Sequence, residues 1–567
     1  MNKMSFKYSL LLFVFVLGTT VKMVSQTVLD SMLIISVGSY KPTIVDANKI
    51  VANPTIVDST KKLKVNGYGI NNSRKVTTGY DVEPIEAAQM VGEPLTKLYN
   101  GLVKIGFGNY KTPYGEAWYN NLRSKDYAYG LRLKHLSSQT QLEDYGFGGF
   151  SDNEVSLYGK KFLKEHTLSG NFDYKRNVVH FYGYDTSKFD ISDKDFTIQR
   201  FNYFGASAEL KSHYTKAERY NHDVKLDFYN MQDTYKSSES NFKASGYIQT
   251  AVLKEVLKVN ASVDYYNYKT ISDTTNNTII TINPNFIATG EKYRASIGVT
   301  GAMDIFVKSK FYFYPNIDLS YNIADNIIVP YAGASGKLQK NSFKSITDEN
   351  PFVLSDLTMN NSNHKYELYG GLKGTLSSTI AYNARVSYSS IDNMALYVND
   401  TMSVNINNSP QLLENRFDVI YDDATLLNIR GEVSYQQREK LRINLRGEYF
   451  SYKMDLEQKA WYNPQLEFTL SANYNLRDKI VARVDLYYID SQFAKTLVAD
   501  TSSPTGKKVV AQELKGVFDA NIGLEYRYTK KLGFFLNFNN IANFRYYRYN
   551  NYPTQRLGFM AGLSYSF

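Results

Sequence analysis

The chain has 567 residues, 15% of them aromatic, with 49 Tyr against 2 Trp, no Cys and a formal net charge of +10; its mean hydropathy is −0.38. The lack of Cys excludes a disulfide framework and attachment as a lipoprotein through an N-terminal Cys. The Lys and Arg are scattered rather than blocked around a nucleic-acid motif, which argues against nucleic acid and leaves anionic lipid as the counter-charge.

Residues 1–25 read as a signal peptide. Lys3 and Lys7 charge its start, an apolar run of about twelve residues covers 10–21, and Ser25 precedes the expected cleavage point. That run is too short to cross roughly 30 Å of hydrocarbon as a helix. Residues 26–97 carry Pro42, Pro54, Pro84 and Pro94, many Asn and few aromatics. They predict a periplasmic extension with little core of its own, whose last part, 82–97, enters the barrel mouth, with a turn or two of helix over 81–90. A five-residue segment occurs twice: Pro42, Thr43, Ile44, Val45, Asp46, and again Pro54, Thr55, Ile56, Val57, Asp58. As extended segments opened by Pro, both are candidates to add to a partner's sheet edge. A chance repeat in a linker is the plain alternative.

From Leu98 to Phe567 the chain alternates. Leu466, Phe468, Leu470, Ala472 and Tyr474 interleave with Glu467, Thr469, Ser471 and Asn473. Ile480, Ala482, Val484, Leu486 and Tyr488 interleave with Val481, Arg483, Asp485 and Tyr487, and the same holds over 441–449 and 518–528. Period two sustained over about nine to twelve residues is the pattern of a strand with one face in lipid and the other in water. No later segment reaches the roughly 18 unbroken apolar residues of a spanning helix. Connections alternate as well. Those at 436–440, 475–479 and 529–531 are short, and those at 451–463, 490–515 and 544–554 are long. Further long links are expected at 139–152, 177–199, 341–362 and 392–423. The expected starts are 101, 115, 127, 153, 165, 200, 221, 241, 256, 277, 291, 309, 326, 363, 380, 424, 441, 464, 480, 516, 532 and 555, about 22 strands in all. An even count puts both termini in the periplasm.

Ionised residues recur in mid-strand on the polar face: Arg430, Glu432, Arg442, Arg446, Glu448, Glu467, Arg483, Asp485, Glu525 and Arg527. Each would cost about 2–4 kcal/mol facing lipid, so they are expected to face a lumen. There they form either a functional charged wall or a structural ladder of cross-strand pairs, and the ladder is the simpler reading. The triplets at Gly106–Gly108 and 146–148 have no helix behind them and read as turn or lumen glycines. No catalytic motif or metal-ligand spacing involves the six His, so neither an enzyme nor a cofactor is expected.

The terminal residues 555–567 place Leu563, Tyr565 and Phe567 on the apolar face and stop on an aromatic. Such a strand resembles the C-terminal signal that directs barrels to the outer-membrane assembly machinery. Together with the Asn- and aromatic-rich stretch 534–553, it resembles the last hairpin of TonB-dependent outer-membrane receptors, and 101–114 resembles the opening strand of receptor-like proteins from the Bacteroidetes. The resemblance covers about 470 residues and implies a 22-stranded barrel in the cell outer membrane, with outer-membrane lipid and lipopolysaccharide as the partners of its positive charge. It fails at the N-terminus. That family carries a folded plug of well over a hundred residues, and 27–97 is too short for one, so coupling to TonB does not follow. Two functions stay open: a receptor-like barrel that binds or passes a solute, and a non-transporting barrel that anchors an envelope assembly or secretion complex, docking a periplasmic or lipoprotein partner.

Overall fold

The computed structural model describes residues 98–567 apart from 192, 216–218, 253–254, 307, 402–403, 407–408 and 500–506. The expected signal peptide, the 26–97 extension, its repeat and the short helix at 81–90 lie outside the described residues.

Alternation decides the architecture. A strand with one apolar face cannot leave its edge N–H and C=O groups unpaired in lipid, so the sheet has to close. It does: 22 antiparallel strands join in one sheet, and the last, Gly558–Ser566, pairs with the first, Gly101–Gly108. Gly101 and Phe567 complete the seam by exchanging two backbone hydrogen bonds of 3.0 Å. The strands expected at 101, 127, 221, 309, 380, 441, 480 and 532 start at those residues, and all but one of the others start within three. Among the described residues no helix is long and apolar enough to cross a membrane.

One boundary differs. The link expected over 392–423 shrinks to 400–416, because Ile380–Asn399 and Phe417–Gln437, of 20 and 21 residues, stay paired up to Asn399↔Phe417. A register shift between Ile391 and Met394, with Asn393 at φ 55°, bends this ribbon as it leaves the barrel wall. Beyond the bend Leu396, Tyr397 and Val398 are all buried. Both faces are covered there, so period two disappears and the segment reads as a loop. Similarly, His166–His180 runs four residues into the link expected from 177.

The largest cluster of buried side chains lies at the long-loop end. Loop 340–361 supplies Phe343, Ile346, Val353, Leu357 and Met359, loop 455–465 supplies Trp461 and Tyr462, and loop 540–557 supplies Tyr549 and Tyr552. They meet strand-end residues Phe201, Met231, Tyr266, Tyr268, Phe417 and Val419. The long loops therefore fold inward and build a core across the mouth.

Candidate functional site at the long-loop end and along the lumen wall

Loop 340–361 is held by polar contacts as well as by burial. Ser342 opens the helix Phe343–Glu349 through a reciprocal bond with Ser345, satisfying N–H groups that the first turn leaves free. Glu239 lies fully buried at that helix start. One of its oxygens accepts from Phe343 N at 2.6 Å and the other from the Tyr229 hydroxyl at 2.5 Å. The partial positive charge of the helix start favours a carboxylate there. Lys340 pairs with Asp264 at 2.7 Å, Tyr268 donates to Ser355 O at 2.7 Å, and Ser355 donates to Asp233. From the opposite side, Tyr549 donates to Glu349 O at 2.9 Å. Phe352 stacks on Tyr552 with ring centroids 4.0 Å apart, and Trp461 donates to Glu457 at 2.9 Å.

On this floor a cleft of about 310 Å³ is lined by Phe181, Tyr235, Ile271, Leu354, Asp356 and Arg416, with Ser237, Ser272 and Ser355. The Phe181 and Tyr235 rings lie 6.2 Å apart. Arg416 is fixed by Asp400 at 2.7 Å, and its Nε is buried without a hydrogen-bond partner among the described residues. Asn415 ties the cleft to the floor by donating to Phe181 O at 2.8 Å. Nothing in the alternation signals this cleft. It is assembled from five separate connections, and only the folding of 340–361 brings them together.

The ten ionised residues named from the sequence lie on one face of their strands, opposite exposed Ile429, Val433, Leu445, Phe468 and Leu524. Most are paired. Arg430 meets Glu448 at 3.2 Å, and Arg446 contacts both Glu448 and, at 3.7 Å, Glu432. Arg483 meets Asp485 at 2.7 Å, and Arg527 meets Glu525 at 3.0 Å. Arg442 donates to Gln436 at 3.2 Å. Glu467 sits directly across from Glu448, with no cation paired to it among the described residues. Other pairs escaped the reading although the same parity marks them: Arg385–Glu367 at 2.6 Å, and Arg132 with Glu116 at 3.0 Å and Glu154 at 3.1 Å.

Leu563, Tyr565 and Phe567 are exposed on the outer face. Leu563 stands opposite Ile105 and Tyr565 opposite Val103 at the seam. Gly106 lies on the inner face, where the Phe535 ring covers it together with Gly562.

A closed antiparallel barrel with an apolar outer face, a paired polar inner face and long loops at one end defines an outer-membrane β-barrel. Solved structures narrow the likeness. The pyoverdine outer-membrane receptor of Pseudomonas aeruginosa superposes with a TM-score of 0.61 at 12% identity, over 83% of this chain and 79% of that one. The FrpB iron transporter of Neisseria meningitidis gives 0.62 at 10%, over 83% and 82%. The siderophore receptor PirA of Acinetobacter baumannii gives 0.63 at 9%, over 84% and 81%. No protein-family model and no curated protein matches the chain. The fold is thus similar to that of TonB-dependent receptors, as the terminal hairpin implied, and these neighbours are transport receptors rather than enzymes.

Proposed function

We propose that this chain is a receptor-like outer-membrane barrel that recognises a solute at its long-loop end for uptake. The observation that carries this reading is the cleft around Arg416, Phe181 and Tyr235, set on an ordered floor made by the inward-folded loops. A fixed cation whose buried Nε has no hydrogen-bond partner among the described residues, flanked by two aromatic rings, suits a polar solute with an apolar portion. On this reading the barrel is of the Bacteroidetes receptor-like type without a full plug, and 26–97 is a periplasmic extension whose repeat, Pro42 to Asp46 and Pro54 to Asp58, docks a periplasmic or lipoprotein partner. The filled mouth also favours a second reading, a non-transporting anchor for an envelope complex.

Native mass spectrometry of the barrel purified from outer membranes separates the two. A co-purifying small solute, lost in Arg416→Ala and Phe181→Ala, is the expected result. A solute-free barrel holding a stoichiometric protein partner would replace the receptor reading with the anchor.

A further inference from the structure

We propose that the inner wall carries a second subsite, for a neutral polyhydroxylated ring such as a saccharide, on the strands from Thr112–Asn120 to His166–His180. It adds to the reading of a solute-handling barrel and lies apart from the Arg416 cleft.

The register lays the site out. Trp118, Arg132, Ser156 and Asp173 form one row across four strands, and Asn120, Gly130, Tyr158 and Asn171 form the next. All of these but Gly130, together with Lys160, Leu131 and Leu157, line a groove of about 470 Å³, within the roughly 300–1,000 Å³ of small-molecule pockets. The two Trp residues differ sharply in setting. Trp461 is fully buried in the loop floor, whereas Trp118 keeps 37% of its surface exposed on the face it shares with the ion pairs. The Arg132 guanidinium lies 4.7 Å from its ring. With Arg132 against it, the ring still offers part of its apolar surface to the polar lumen, where a ligand with a flat apolar face can stack.

Charge excludes an ionic partner. Two carboxylates, Glu116 and Glu154, answer Arg132. What remains is one Lys and one Asp, so the groove is close to neutral. Hydrogen bonding points to hydroxyl groups. Tyr158 donates to Asn120 Oδ1 at 2.9 Å, Ser156 to Asp173 Oδ1 at 2.6 Å, and Asn171 Nδ2 to Ser207 at 3.1 Å. Left over among the described residues are two donors, Asn120 Nδ2 and Lys160 Nζ, and two acceptors, Asn171 Oδ1 and Asp173 Oδ2. A mixed set is best met by groups that both donate and accept, as hydroxyls do. Gly130 belongs to the same design, since a Cβ there would fall 2.1 Å from Asn120 Oδ1 and 2.5 Å from the Tyr158 ring.

The test follows tryptophan emission of the full chain, in a sugar-free detergent, during titration with maltose and N,N′-diacetylchitobiose, and with benzoate as a flat anion. A saturable change with at least one disaccharide and none with benzoate is expected. It should vanish in Trp118→Phe while Trp461 emission remains, weaken about tenfold in Asn171→Ala and in Asp173→Ala, the loss of one hydrogen bond, and persist in Arg416→Ala. Heat-modifiable mobility certifies each variant as a folded barrel. No response to either disaccharide, a response that survives Trp118→Phe, or an equal response to benzoate overturns the subsite. Failure here leaves the Arg416 cleft standing, because its solute is read separately.

Discussion

A methyl group at Gly101 would lie 2.2 Å from the Phe567 ring. The closing strand therefore seats its last aromatic over a residue without a side chain, beside the two hydrogen bonds that end the seam. Gly101→Val is predicted to displace that ring. Together with deletion of Phe567, it should lower the fraction of heat-modifiable barrel recovered from outer membranes; unchanged recovery would remove both residues from the assembly signal. Glu448 carries a different load. Its side chain is 5% exposed and answers Arg430 and Arg446 together. Glu448→Ala removes the carboxylate these two cations share, while Arg446 keeps Glu432, and is predicted to cost about 3 kcal/mol, read as a lower urea midpoint in detergent. Arg527→Ala, at a mostly exposed pair, should cost less than about 1 kcal/mol. An equal loss in both would mean that burial does not grade the ladder.

At the scale of one element, loop 340–361 behaves as a built part of the wall. Glu239 sits at its helix start, and Glu239→Ala is predicted to raise amide exchange over 343–349 without changing exchange in the barrel strands. Asp233, in the hairpin 233–237, holds the other end of the loop through Ser355. Burial raises its carboxyl above the usual range and outweighs the bonds from Ser355, Ser237 and Gln199. A raised acid binds its proton more tightly folded than unfolded, so its contribution is largest below its unfolded value and is lost as pH rises through the folded one. Amide protection over 353–357 is therefore expected to fall as pH rises from below the ordinary carboxylate range to neutrality, with the fall flattened in Asp233→Asn. The opposite slope would contradict this assignment. The loop was legible as a loop from its length. Its inward course was not, because Phe343, Ile346 and Val353 find partners only on other loops and strand ends.

For the whole molecule, alternating connection lengths predict opposite exposure of the two ends. A tag in 490–515 should be labelled on intact cells and one in 475–479 should not; equal labelling would refute the topology. The floor predicts low conductance in planar bilayers, and removal of 343–357 should raise it. A large, steady conductance from the unmodified barrel would show that the floor is not closed.

Strand number, strand face and the pairing of the ends were readable in the chain, since lipid on one side and water on the other impose period two residue by residue. The positions of Arg446, Glu448 and Asp485 followed from parity alone, as did those of Leu563 and Tyr565. The paired ribbon beyond Ile391, the floor around Trp461 and Tyr552, the Arg416 cleft and the partner of each charge did not. Wherever both faces of a segment are covered, its pattern carries no period. Contacts between residues hundreds of positions apart, as between Tyr552 and Tyr182, are decided only when the barrel closes and brings its loops over one mouth.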